Sequence, residues 1–337
     1  MWYLFGVVSA EHNGNIMSLV KTIDFKNIAI IVKEIEKWDP NKSNKTELLN
    51  ELLTHQKTLE VIMQQQLVIP IKFGTVVDSL EDIQIILKEN FSIFQQVLKE
   101  MEGKIEISLA VSWDEPAQLK KISEEDEDIC KMKKIVRNNN DLNFLITAGK
   151  IVANKLQEKR KKIADEISRK LNYLTISKVD HERLEDKMIL NTSFLIEQEK
   201  EESFEECINQ IDKNFQGELD FKYISPLPPH SFRTIHIQKI SFQQLTAALE
   251  LFKIREKTTF KELKKKNREL IRNYHPDAKQ ENTENDLSRV HEAFNLLKNF
   301  YRAKEKLFVN FDTDLCFLTT ISESNSNNMA GEECKKN

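Results

Sequence analysis

The chain has 337 residues, of which 40% are hydrophobic and 31% charged, with a formal net charge of −4. That length holds two or three domains, and the charge argues against the whole chain being a nucleic-acid binder, so any basic patch is local. Four cysteines, Cys130, Cys207, Cys316 and Cys334, lie far apart with no CxxC pair, which signals neither a zinc site nor a disulfide framework and fits a reducing cytoplasm.

The N-terminal MWYLFGVVSAEHNG lacks the basic flank of a signal peptide and reads as a strand. Nothing is apolar for long enough to span a membrane. None of the seven glycines forms GxGxxG or a P-loop, so no cofactor is implied. Residues 2–8 and 28–35 read as strands, and 45–66 as a helix with Leu49, Leu52, Leu53, Leu59, Ile62 and Met63 at helical spacing. Residues 67–77, LVIPIKFGTVV, are apolar almost without break and predict a central strand buried between two helices. Pro70 belongs at a strand start, edge or bulge, and Gly74 fits a bend. Asp78 or Ser79 then caps a helix carrying Leu80, Ile83, Leu87, Phe94, Val97 and Met101, which Gly103 ends. Residues 1–103 therefore predict an N-terminal α+β domain.

From 104 to 113, Ile105, Ile107, Leu109, Val111 and Trp113 alternate with Lys104, Glu106, Ser108 and Ser112, the pattern of a half-buried strand. Charged helices follow at about 116–136 and 139–174. The second carries Val152, Leu156, Ile163, Ile167 and Leu174 near a heptad, which predicts a helical hairpin. A strand at 188–196, a helix at 203–215 and a strand at 219–224 complete the order of a ferredoxin-like second domain, 104–237, with that hairpin as an insertion. Residues 225–232, SPLPPHSF, hold three of the seven prolines and predict a stiff extended segment.

Three of these stretches are similar to one family. YLFGVV near the start, HQKTLEVIMQQQLVIPIKFGTVV at 55–77 and PLPPHSF at 226–232 resemble, in order and spacing, the GvpF/GvpL family of gas vesicle proteins over about residues 1–237. Ser225 stands where the family more usually has glycine, and His230 where it has tyrosine. The resemblance implies an N-terminal α+β domain, a ferredoxin-like domain after it and no known catalysis. It also implies a cytoplasmic accessory role in building the gas vesicle, beside other accessory proteins and in contact with the hydrophobic shell protein GvpA.

Past residue 237 the pattern changes. Ser241 with Gln244 reads as a capping box, with Ile240 and Leu245 as a hydrophobic staple. Phe242, Leu245, Leu249 and Phe252 stripe the helix that follows. Thr259 with Glu262 caps a second helix, whose apolar stripe is Phe260, Leu263, Leu270, Ile271 and Tyr274. Its other face lines up Lys261, Lys264, Lys265, Arg268 and Arg272. His275-Pro276-Asp277 stops it. A third helix, about 283–301, carries Leu287, Val290, Phe294, Leu297 and Tyr301, so 238–303 predicts an all-α helical hairpin. RNYHPDAKQ, with LKKKNRELIRNYHPD and the later HEAF, resembles the J domain of DnaJ-type co-chaperones over about 240–303, apart from the residue directly after Asp277, which is not the usual lysine. That resemblance implies that His275, Pro276 and Asp277 touch a DnaK-type chaperone, while Lys261, Lys264, Lys265, Arg268 and Arg272 dock on its acidic surface. Taken alone, the tripeptide reads as only a helix stop beside a solvated face. Residues 304–337 form a tail. Its apolar patches at 307–311 and 315–318 can fold back on the body, and SESNSNNMAGEECKKN reads as disordered.

The expected function is non-enzymatic gas vesicle assembly, with GvpA held by the body and a chaperone recruited by the tail; the alternative is a general co-chaperone with other clients. An enzyme is poorly supported, because His12, His55, His181, His230, His236 and His291 show no metal-ligand spacing. The basic helix lacks aromatic stacking positions on its polar face, which argues against nucleic acid.

Overall fold

The computed structural model describes residues 1–10, 20–36, 44–126, 129–130, 142–254, 258–274, 284–306 and 315–322. The chain divides into two compact units. One comprises residues 1–99 with 233–322; the other spans 100–232.

The first unit opens with β1 (Trp2–Ser9), followed by β2 (Lys21–Phe25) and β3 (Ile28–Glu34). Lys26, at φ 56°, turns the chain between β2 and β3. The helix α1 (Lys45–Met63) starts at a reciprocal cap: Asn44 accepts from the Glu47 backbone N–H, and the Glu47 carboxylate accepts from that of Asn44. Two short strands, β4 (Val68–Pro70) and β5 (Val76–Val77), come before α2 (Leu80–Met101). The sheet order is β2-β3-β1-β4, with β5 also paired to β1. All its pairings are antiparallel.

The predicted central strand is therefore a misreading. β1 and β3 are the interior strands, and residues 67–77 make two short outer segments on β1. The physical reason lies in two residues already singled out. Pro70 cannot donate to a ladder, and Gly74, at φ 81°, turns the chain between the segments. Ser79 caps α2, accepting from the Asp82 backbone N–H at 3.1 Å. Leu80 is exposed and does not join the buried stripe of Ile83, Leu87, Phe94, Val97 and Met101. Gly6 admits no side chain, since a Cβ there would meet Val68 Cγ2 at 2.5 Å and the Ile69 carbonyl oxygen at 2.9 Å.

The second unit holds β6 (Lys104–Trp113), α3 (Glu115–Glu125) and α4 (Leu142–Leu171). It continues with β7 (Ser177–Asp180), β8 (Met188–Glu197), α5 (Glu201–Asn214) and β9 (Leu219–Leu227). The order β7-β8-β6-β9 is antiparallel throughout. Ile107 of β6 faces Phe194 of β8, whose ring meets Phe204 of α5 at 5.4 Å, so helices cover that face. The connection between α3 and α4, where the hairpin tip was expected, lies outside the described residues except for 126 and 129–130.

The chain then returns to the first unit through β10 (Ile235–Ser241), α6 (Phe242–Phe252), α7 (Phe260–Tyr274), α8 (Glu284–Lys306) and β11 (Leu315–Ile321). β10 and β11 pair antiparallel along their whole length, so residues 315–321 do fold back. The 307–311 patch lies outside the described residues. α6, α7 and α8 share one core of Leu245, Ala248, Phe252, Leu263, Val290, Leu297, Phe300 and Tyr301, joined by Ile240 of β10. Each large side chain buried there contributes about 1.5–3 kcal/mol, and the Ser241–Gln244 capping box forms as read.

Candidate functional site

The cationic helix is the first candidate. Thr259 and Glu262 cap α7 reciprocally: Glu262 accepts from the Thr259 backbone N–H at 2.8 Å, and Thr259 Oγ1 accepts from that of Glu262 at 3.3 Å. The backbone N–H and then the hydroxyl of Thr259 hold the Glu262 carboxyl below its ordinary range. Leu263 is buried and Phe260, Leu270 and Ile271 pack on the same core, which fixes the rotation of the helix. Lys261, Lys264, Lys265, Arg268 and Arg272 consequently stand exposed. They form one stripe, because residues three and four apart are neighbours on a helix. Lys264 Nζ lies 4.8 Å over the Phe260 ring. Lys266, off the stripe, pairs instead with Glu269 at 3.0 Å and lowers its pKa. His275, Pro276 and Asp277 lie outside the described residues.

The helical module is joined to the first sheet. The Lys72 backbone N–H donates to the Ile235 carbonyl at 2.8 Å, and Ile71 bridges Ile235 in parallel. Lys239 Nζ sits 2.6 Å from Asp78 and 3.4 Å from Asp82, and the Asp78 hydrogen bond is the main cause of its raised pKa. The sequence carried one signal for β10, the period-2 run IHIQK.

The motif residues of the body converge in the interior. Tyr3 from β1, His55 from α1 and Gly74 from the turn meet: the Gly74 N–H donates to Tyr3 Oη at 3.1 Å, and the Tyr3 hydroxyl lies 2.9 Å from His55 Nδ1. The His55 ring stacks on Phe5 at 5.4 Å and meets Phe73 edge-on at 5.7 Å. Burial pushes the Tyr3 phenol up to about 12, so it stays neutral.

A second polar cluster went unread. Glu106, assigned to the polar side of its strand, is only 3% exposed. It accepts from the Ser231 backbone N–H at 2.9 Å and from Ser231 Oγ at 2.7 Å. Ser193 Oγ lies 3.1 Å from Ser231 Oγ and 2.9 Å from His181 Nε2. Burial raises the Glu106 pKa against the opposing pull of these hydroxyls and of His181. The adjacent His230 is held down to about 4 by burial. Chemically the cluster is a clasp: a carboxylate that satisfies a backbone N–H and a hydroxyl where the proline-rich segment ends. Carboxylate and imidazole meet the same hydroxyls, and among the described residues no carboxylate is seen to contact the other ring nitrogen and orient the histidine as a base.

Among the described residues no three His, Cys, Asp or Glu side chains could hold a metal ion. No helix there is long and apolar enough to cross a membrane.

Comparison with known proteins agrees with the buried motifs. The family model described as gas vesicle synthesis protein GvpL/GvpF matches residues 1–234. Gas vesicle protein F of Dolichospermum flosaquae is 27% identical over 185 residues, covering 54% of this chain and 76% of that protein. Gas vesicle protein F1 of Halobacterium salinarum is 23% identical over 237 residues, 69% of this chain and 86% of the other. The crystal structure of the gas vesicle protein GvpF from an Anabaena species shares the fold with a TM-score of 0.60 at 20% identity, covering 68% of this chain and 96% of that one. The matched stretch ends at residue 234, before the cationic module. The chain therefore belongs to the GvpL/GvpF family of gas vesicle synthesis proteins, with a role in gas vesicle formation.

Proposed function

We propose that this chain is a cytoplasmic assembly factor that holds the gas vesicle shell protein GvpA and calls a DnaK-type chaperone to it through the α7 module. The observation that carries the reading is a division of labour along one chain. A family-matched body covers residues 1–234, and an exposed cationic stripe follows it on a capped, packed helix. A row of cations on a rigid helix gives fast, salt-sensitive association with an acidic surface, which suits repeated brief visits by a chaperone. The strand–helix–helix–strand–strand–helix–strand order of residues 104–227 supports the ferredoxin-like reading of the second unit, with one of the first two helices as an insertion. The packed α7 and α8 support the J-like one.

The test is co-purification from vesicle-forming cells using the full chain as bait. GvpA, with other gas vesicle accessory proteins, is expected in the eluate. Failure to retain any gas vesicle component would overturn the reading. A general co-chaperone with other clients is the second reading, favoured by the cationic module lying outside the family match. It predicts broad aggregation in cells lacking the protein, where the proposed function predicts a selective loss of vesicles.

A further inference from the structure

One of the two outer strands of the second unit's sheet, β9, offers a surface that the gas vesicle reading does not use. β9 closes one side of the β7-β8-β6-β9 sheet, and among the described residues no strand pairs beyond it. Its outward N–H and C=O groups thus form an open edge. Tyr223 is 36% and Ile224 58% exposed, and Asp220 and Lys222, 3.3 Å apart, are both exposed. Register with β6 assigns the faces. Leu219, Phe221 and Tyr223 stand opposite Trp113, Val111 and Leu109, on the helix-covered side; Asp220 and Lys222 stand opposite Ser112 and Ala110, on the other.

We propose that β9 pairs antiparallel with β9 of a second copy of this chain, about a two-fold axis at Phe221, joining two sheets into one. A two-fold perpendicular to the sheet keeps each copy's helix-covered face on the same side, so only registers centred on a residue are allowed. Centring on Asp220 sets Asp220 against itself, and centring on Lys222 sets Lys222 against itself. Centring on Phe221 sets Asp220 against Lys222 twice, with Phe221 against Phe221 and Leu219 against Tyr223 on the opposite face. Opposite charges and apolar pairs directly across a ladder stabilise it, and like charges oppose it. An in-register parallel pairing would match every charge with its like. Pro226 has no N–H to offer and limits the paired stretch at its end.

The experiment is sedimentation equilibrium of the full chain from low to high micromolar concentration. The wild type is expected to dimerise. Lys222→Asp sets Asp against Asp at both positions and should weaken association by about tenfold or more; Asp220→Lys should do the same. The double variant Asp220→Lys with Lys222→Asp exchanges the charges and restores the dimer, which separates charge pairing from any folding defect. A wild type monomeric at every concentration, with Lys222 acting only as an edge guard, would overturn the proposal. So would a dimer that Lys222→Asp leaves intact, or a double variant that fails to rescue. Any of these outcomes leaves the gas vesicle reading standing, since co-purification judges that separately.

Discussion

Two groups of motif residues point in opposite directions. In the body, Tyr3, Phe5, His55 and Phe73 come from three separate segments and meet inside, where they contact one another. In the helical module, Lys261, Lys264, Lys265, Arg268 and Arg272 face outward. Residues of the first kind specify a fold and are satisfied within it. Those of the second kind are left exposed on the surface of their helix. The family match, 1–234, covers the inward group and stops before the outward one.

The largest effect that sharpens this contrast is expected at His55. Replacing it with alanine removes a buried stacked ring and its hydrogen bond to the Tyr3 hydroxyl, a loss of about 3–5 kcal/mol by chemical denaturation. A loss as small as a surface substitution gives would break the comparison. Next comes acid sensitivity. His230 is held down to about 4 against an ordinary 6.5, so its folded-state pKa lies below the unfolded one. The stability it contributes is present above 6.5 and is lost as pH falls toward 4, by roughly 3 kcal/mol in all. Melting temperatures followed across that window should drop in the wild type, and that drop should be absent from His230→Phe.

Glu106 carries the opposite sign. Its folded pKa is raised by burial, so its contribution is fully present below the ordinary 4.5 and is lost as pH rises through the folded value. In the His230→Phe background, mild acidification should therefore stabilise the protein, and Glu106→Gln should remove that gain. Glu106→Ala should cost about 1–3 kcal/mol at neutral pH, because the Ser231 N–H loses its acceptor. The smallest effect is the most telling for the module. Lys264→Glu with Arg268→Glu should change stability by about 0.5 kcal/mol or less, as exposed substitutions do.

What the sequence made legible followed periodicity. α2, β6 and α5 each bury a stripe, and the caps at Ser241 and Thr259 lie where the side-chain chemistry puts them. In α1 only the C-terminal half follows the expected stripe: Leu59 and Ile62 are buried, whereas Leu49, Leu52 and Leu53 are exposed. What it hid depended on partners distant in the chain. β2 is largely exposed and polar, and it exists because β3 holds it. β10 pairs with β11 across the whole helical module, a match that no local pattern announces. Glu106 looked like an outward charge because its partner Ser231 lies 125 residues away. The cationic stripe was legible because helix rotation follows from its apolar side.

The most direct test is ATP hydrolysis by a DnaK-type chaperone in the presence of the full chain. The wild type should stimulate hydrolysis. Asp277→Asn and the double variant Lys264→Glu, Arg268→Glu should each abolish that stimulation with melting temperatures unchanged. A wild type that fails to stimulate, or charge-reversed variants that stimulate equally, would contradict the assignment of the outward-facing residues to a chaperone.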